Sequence, residues 1–158
     1  MEFLDYVERE AKENLRFHLD TLEALNKEAH TLLALQLVFA GGAFGYALKL
    51  FGEGGSLPLA VGACVLTLYL GLLAAGTAVS CLMHTRLEAP ANEPENLLLD
   101  DVELDALRLA ELDNVQVRID RNQERNANTG RTLNTLRLLT ICSPVVFGLA
   151  ALVATPFA

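Results

Sequence analysis

The sequence lacks the short motifs that mark common catalytic sites. It contains no phosphate-binding loop, no dinucleotide-binding glycine fingerprint, no HExxH zinc-binding helix and no serine nucleophile elbow. None of its histidines follows an arginine at the spacing found in ribonucleases of the R-x(4–6)-H type. We therefore predict that the protein is not an enzyme and that it carries no metal ion or cofactor.

Basic residues and cysteines are both scarce. Twelve Lys and Arg stand against 20 Asp and Glu, which gives a net charge of −8. A surface that binds nucleic acid needs a basic excess, so we expect no direct nucleic-acid partner. The three cysteines, Cys64, Cys81 and Cys142, all lie in apolar runs. This placement excludes a secreted disulfide framework and predicts small thiols buried in a membrane.

Two long apolar runs joined by a glycine-rich loop organise the chain. No charge occurs from Thr31 to Leu48, and a helix of that length rises about 27 Å, close to a bilayer core of about 30 Å. The second run, Ser56 to Met83, is also uncharged. The alternative is a buried hairpin in a large soluble protein, but a chain of 158 residues is too short to enclose two such helices. The pair predicts a transmembrane hairpin.

A third uncharged run, Leu138 to Ala158, follows the last basic residue. Pro144 removes a backbone donor inside this run, and we expect Thr140 or Ser143 to satisfy the freed group. The predicted fold is all-α, a single domain over residues 1–158. It has three spans, an amphipathic N-terminal helix (residues 1–30) and a long cytosolic helical segment (residues 86–132). The predicted spans are Thr31–Phe51, Leu57–Met83 and Leu138–Phe157.

The basic residues also predict the orientation. Eleven of the twelve lie in the N-terminal block or between Arg86 and Arg137, and only Lys49 is on the other side of a span. The positive-inside rule then places the N-terminus in the cytosol and the C-terminus in the periplasm of a bacterial inner membrane. The acidic start of the chain, MEFLDYVERE, lacks the basic-then-apolar layout of a signal peptide.

The first 30 residues have the apolar period of an amphipathic helix. Their acidic excess does not suit an anionic membrane surface, so we expect the apolar stripe to pack on another protein helix. His18 lies in this stripe, where a packed core histidine is favoured over a ligand. The stripe consists of Leu4, Val7, Ala11, Leu15, His18, Leu22, Leu25 and Ala29.

The central segment begins with a proline-containing linker, RLEAPANEP, and a capping box formed by Asp100 and Glu103. A helix from there to about Asn128 is favoured. However, Val115, Val117 and Ile119 alternate as in a strand, which leaves helix and strand open at this point. The leucines fall on more than one helical face, and this indicates a bundle or an oligomer.

Asparagines and arginines alternate towards the end of the central segment. Asn122, Asn126 and Asn134 share a helical stripe with Gly130, and such a stripe sets register and oligomeric state in helical bundles. The alternative is an anionic ligand, such as a cyclic nucleotide. Its candidate binding residues are Arg118, Arg121, Asn122 and Arg125.

Small residues one helical turn apart occur in both predicted spans of the hairpin. Gly41 and Gly45 in the first, and Gly71 and Ala75 in the second, predict close helix packing within or between subunits. Gln36 is the one strongly polar residue of the first span. It predicts an interhelical hydrogen bond in preference to a pore lining.

The order of these elements resembles that of small multi-span effectors of bacterial antiphage defence. The resemblance rests on the segment EAHTLLALQLVFAGGAFGYAL, a tight hairpin, a charged helix and a last span preceded by NANTGRTLNTLR. SLATT-domain proteins, Pycsar transmembrane effectors and CRISPR-associated membrane accessory proteins share this layout. It implies an oligomeric, membrane-disrupting effector triggered from the cytosol by a cyclic nucleotide or a defence protein. No separate sensor domain is apparent in the sequence.

Two other functions fit the same features. The chain could be a membrane anchor that recruits a cytosolic partner through its leucine-rich helix. It could also be a phage holin, although holins have short charged tails and a basic cytosolic end.

Overall fold

The fold is helical throughout the part of the chain that the structure, a computed structural model, describes: residues 2–83 and 103–157. Those residues contain no strand, which confirms the predicted all-α class. The helices are α1 (Glu2–Gly52), α2 (Leu57–Thr77), α3 (Leu104–Ile141) and α4 (Ser143–Ala154). A π-helical turn, Ala78–Leu82, extends α2, and a 3-10 turn, Thr155–Phe157, follows α4. The predicted linker at residues 86–94 and Asp100 of the capping box lie outside the described residues.

Two described helices, spanning Phe3–Gly52 and Leu57–Leu82, contain segments long and apolar enough to cross a membrane. The pair α3 and α4 meets the same test if counted as one span, although it bends by 43°. The chain is therefore a membrane-associated protein with two to three helices able to span a bilayer.

The third predicted span is broken near its start. Helix α3 ends at Ile141 and α4 begins at Ser143, with Pro144 in the first turn of α4. Proline has no backbone N–H and its ring crowds the preceding turn, so it favours the start of a helix over its interior. The sequence predicted one continuous span here, whereas the proline divides it into two helices.

The turn between α1 and α2 depends on glycine at two positions. Gly54 has a φ of +65°, in the left-handed region that side chains disfavour. The Gly55 N–H donates to the Leu50 carbonyl at 2.8 Å, and a Cβ at Gly55 would lie 2.7 Å from Leu50 Cδ2. The loop is tight because both positions have no side chain.

The described residues form two compact units, and α1 and α3 each contribute to both. Residues 2–25 and 103–129 form the first, here called the helix pair. Its core is Leu15 of α1 against Val115 and Ile119 of α3. Full burial of one such side chain stabilises by about 1.5–3 kcal/mol.

The two helices of the helix pair run parallel. Glu8 contacts Arg108 near one end, and the His18 carbonyl contacts Asn126 near the other, so residue numbers rise together. The segment around Val115 is helical because Val115 and Ile119, four residues apart, both face α1. Val117 between them is 46% exposed. The strand-like alternation of the sequence therefore does not describe the structure.

Residues 26–83 and 130–157 form the second unit, here called the apolar unit. Helix α2 packs closely on α4 at Gly62, where a Cβ would lie 3.1 Å from the Phe147 carbonyl oxygen and 3.2 Å from Ala151 Cβ. The contacts of Gln36 with Thr77 and of Ala40 with Thr67 make α2 antiparallel to α1.

Candidate functional site

A buried polar cluster joins three helices inside the apolar unit. Gln36 of α1 and Thr77 of α2 are both completely buried. The Thr77 hydroxyl donates to Gln36 Oε1 at 2.9 Å, and Gln36 Nε2 donates to the Thr140 hydroxyl of α3 at 2.9 Å. The predicted interhelical hydrogen bond of Gln36 is confirmed, and it has two partners. We call these three residues the polar node.

The two threonines of the polar node are also bonded to their own helices. The Thr77 hydroxyl lies 3.0 Å from the Leu73 carbonyl, and the Thr140 hydroxyl donates to the Leu136 carbonyl at 2.8 Å. Because a hydroxyl has one proton, Thr77 divides it between Leu73 and Gln36. The π-helical turn begins directly after Thr77, and such turns commonly occur where a helix has a specialised task.

A second polar contact lies beside the break between α3 and α4. The Tyr69 hydroxyl of α2 donates to the Leu139 carbonyl at 2.8 Å. In an unbroken helix that carbonyl would accept from the backbone of Ser143, but α3 has already ended. The carbonyl that Pro144 itself leaves without a donor is that of Thr140, one residue later. That Thr140 or Ser143 satisfies this freed group stays a prediction, although the Thr140 hydroxyl donates one turn earlier, to the Leu136 carbonyl.

The predicted packing residues of the hairpin face away from the other described helices. A Cβ added at Gly41, Gly45 or Gly71 would meet nothing within 4 Å, and Ala75 is exposed. On α1 these glycines lie on the side opposite the buried Ala40 and Ala47. Close packing within the described chain occurs at Gly62, which the spacing of small residues did not indicate. Contact of the other four with a second copy stays a prediction.

An ion-pair cluster joins the two helices of the helix pair. Arg108 Nε donates to Glu8 Oε1 at 2.5 Å, and a terminal nitrogen of Arg108 bonds Asp5. The hydrogen bond from Arg108 holds the pKa of Glu8 below its usual value, and the two carboxylates raise the pKa of Arg108. Because Asp5 is 62% exposed, water screens its share of the interaction more than that of Glu8.

Three of the predicted polar residues are buried on α3, and one of them, Asn126, contacts α1. Arg118, Asn122 and Asn126 are 8%, 3% and 8% exposed. Arg118 lies 3.6 Å from the Glu111 carboxylate, and Asn126 Nδ2 donates to the His18 carbonyl at 2.8 Å. Asn122 Nδ2 and Asn126 Oδ1 have no hydrogen-bond partner among the described residues. A buried amide atom left in this state costs about 1–3 kcal/mol.

The other predicted ligand and register residues are distributed differently. Arg121 is exposed and Arg125 is partly buried, so the four candidate ligand residues do not share one open face. Asn134 is exposed and belongs to the apolar unit, apart from Asn122 and Asn126. The ligand and register roles of these residues stay predictions.

The residues that sequence reasoning missed are the partners of Gln36. Thr77 and Thr140 lie 41 and 104 residues from it along the chain. Their one visible signal is a hydroxyl within an otherwise apolar run. No group of three His, Cys, Asp or Glu side chains suited to a metal ion occurs within residues 2–83 and 103–157.

Comparison of the chain with models of known protein families, with curated proteins and with solved structures gives no match.

Proposed function

We propose that this protein is an oligomeric inner-membrane effector that permeabilises the membrane on a cytosolic trigger, as part of antiphage defence. The observation that carries the proposal is the open face of α1 at Gly41 and Gly45. These glycines belong to a run apolar enough to span a bilayer, yet nothing in the described chain covers them. Close approach at small residues is what associates helices in lipid, so the face suits a neighbouring copy.

The direction of the helices supports three crossings. In the apolar unit, Glu28 bonds Arg137 at 2.6 Å and Gln36 bonds Thr140, so α3 runs parallel to α1. Helix α2 runs the opposite way. A chain that crosses a membrane three times has this alternation of helix directions. With the distribution of basic residues, it favours a cytosolic N-terminus and a periplasmic C-terminus.

The interior of the apolar unit favours an effector over a passive anchor. An anchor needs only apolar helices, whereas this unit buries an amide and a hydroxyl and breaks its last helix at Cys142. Polar groups and helix breaks are costly in a bilayer and typical of spans that move. The resemblance in element order to defence effectors agrees with this interpretation.

The trigger acts on the helix pair in this proposal. Arg121 and Arg125 offer positive charge to an anionic ligand such as a cyclic nucleotide, and a cytosolic defence protein is the alternative partner. Isothermal calorimetry of the full-length protein in detergent distinguishes the two. Heat on adding a cyclic nucleotide that is lost in Arg125→Ala supports the nucleotide, and no heat with any cyclic nucleotide excludes it.

Induced expression in bacteria tests the function. We expect a potential-sensitive dye to report depolarisation soon after induction of the wild-type chain, and Gly45→Leu to insert without depolarising. A membrane anchor would leave the potential unchanged in both cases. A holin would depolarise only after a programmed delay and would release cytosolic protein when a muralytic enzyme is co-expressed.

A further inference from the structure

The outward face of α1 in the helix pair has an unusual composition. Residues at alternating steps of three and four follow one side of the helix, opposite the buried Leu15, and all are exposed. This row contains three aromatic rings and three carboxylates but no base. We call it the acidic–aromatic row: Phe3, Tyr6, Glu10, Glu13, Phe17, Asp20 and Ala24.

A second row on α3 has the opposite charge. It lies largely on the side of α3 away from the face that contacts α1, and its members are exposed except for Arg125, which is partly buried. Helix α3 carries five acids up to residue 129, yet none falls in this row. We call it the basic row: Ala110, Asn114, Val117, Arg121, Arg125 and Asn128.

The two rows lie at the same level along the axis of the helix pair. Contacts inside the helix pair join residues of α1 to residues of α3 that are 100 to 108 positions later in the chain. Copies inserted in one bilayer share their direction and their height. An offset of 104 positions, the middle of this range, places Tyr6 level with Ala110, Glu13 with Val117, and Phe17 with Arg121.

We propose that the acidic–aromatic row of one copy docks against the basic row of the next copy. The proposal rests on the oligomeric state in the proposed function and names the surface that forms it. Phe17 then lies against an arginine of the neighbouring copy, where a guanidinium stacks on an aromatic face. Glu13 and Asp20 face the same basic row, and Tyr6 packs against the small Ala110.

Charge excludes the symmetric alternatives. Docking the acidic–aromatic row on its own copy would bring Glu10, Glu13 and Asp20 against themselves at equal height. Docking the basic row on itself would oppose Arg121 to Arg121 and Arg125 to Arg125. Like charges placed together disfavour association. The remaining contact is head-to-tail, and around an axis normal to the membrane such contacts close into a ring.

Disulfide trapping in membranes tests this contact. In a chain with Cys64, Cys81 and Cys142 replaced by Ser, we introduce Phe17→Cys together with Arg121→Cys. Phe17 points away from α3 of its own chain and is 65% exposed, so a disulfide must join two copies. We expect mild oxidation to give a ladder of covalent oligomers, and each single substitution to give none.

A matched pair provides the control. Phe17→Cys with Asp120→Cys places the second thiol at nearly the same height but outside the basic row, and we expect no ladder. A covalent dimer from Phe17→Cys alone would show a symmetric contact and would overturn the proposal. So would equal ladders from the Arg121 and Asp120 pairs.

Charge exchange tests the electrostatic part with a different pair of thiols, Tyr6→Cys and Ala110→Cys. Adding Arg121→Glu should reduce the ladder to the level of the single-cysteine variants, and adding Glu13→Arg as well should restore it. A ladder unchanged by Arg121→Glu would contradict the proposed surface. Depolarisation is read separately: a ladder without depolarisation refutes the function alone, and depolarisation without a ladder refutes the surface alone.

Discussion

The side-chain amide of Gln36 in α1 donates to the hydroxyl of Thr140 in α3 at 2.9 Å, across 104 residues of chain. Both groups lie within the apolar unit, and the carbonyl end of the same amide accepts from Thr77. One glutamine therefore links the first helix to both of its neighbours.

Removal of one hydroxyl of the polar node should loosen the apolar unit. In Thr77→Val, Gln36 Oε1 stays buried without its donor, and interhelical hydrogen bonds in membranes are worth about 0.6–2 kcal/mol. We expect a lower unfolding temperature in detergent by circular dichroism. The control is Thr135→Val, because the exposed Thr135 hydroxyl donates to the Arg131 carbonyl of its own helix. Equal unfolding temperatures for Thr77→Val and wild type would contradict the role of the node.

The polar node illustrates what the sequence could predict and what it could not. A single glutamine in an apolar run must find a partner, so its hydrogen bond was predictable. The identity of Thr77 and Thr140 was not, because it depends on how three helices align in register. The helix favoured around Val115–Ile119 is confirmed. The break at Cys142 was not predicted, although Pro144 accounts for it.

Two glycines of the apolar unit should separate stability from assembly. Gly62→Ala brings a Cβ to 3.1 Å from the Phe147 carbonyl oxygen, so α2 and α4 must move apart. Overpacking of this kind costs about 1–3 kcal/mol. Gly45→Leu enters open space and should leave folding unchanged but hold neighbouring copies apart.

Mass photometry and thermal unfolding in detergent measure both effects. Gly62→Ala should unfold at a lower temperature, and Gly45→Leu should unfold like wild type but contain fewer subunits. A wild-type protein that is monomeric at micromolar concentration would refute the oligomer. So would a Gly45→Leu variant with an unchanged subunit number.

The ion pair of Glu8 with Arg108 should make the helix pair sensitive to acid. Because the folded state lowers the pKa of Glu8, its contribution to stability is present above the usual carboxyl pKa of about 4.3. That contribution is lost as the pH falls through the lower folded value. We expect Glu8→Gln to remove part of the acid sensitivity of unfolding, measured by circular dichroism between about pH 3 and pH 7. The control is Asp113→Asn, which removes an exposed carboxylate of α3 and should leave the acid sensitivity of unfolding unchanged.

Asn122, one of two buried asparagines of α3, should set the subunit number and lower the stability of the helix pair. Asn122→Leu removes an amide nitrogen that is buried without a hydrogen-bond partner among the described residues, so the helix pair should become more stable by about 1–3 kcal/mol. The assembly should persist with a changed subunit number, because the polar register signal is gone. Asn128→Leu, an exposed position, is the control. Multi-angle light scattering that gives the wild-type mass for Asn122→Leu would exclude a register role.

Accessibility of single cysteines to an impermeant thiol reagent tests the central claim, three membrane crossings with the helix pair in the cytosol. In a chain with the three natural cysteines replaced by Ser, Glu53→Cys and Ala158→Cys should be labelled from the periplasm of intact cells. Pro94→Cys should be labelled only after the inner membrane is opened. Labelling of Pro94→Cys in intact cells, or protection of Ala158→Cys, would contradict the account.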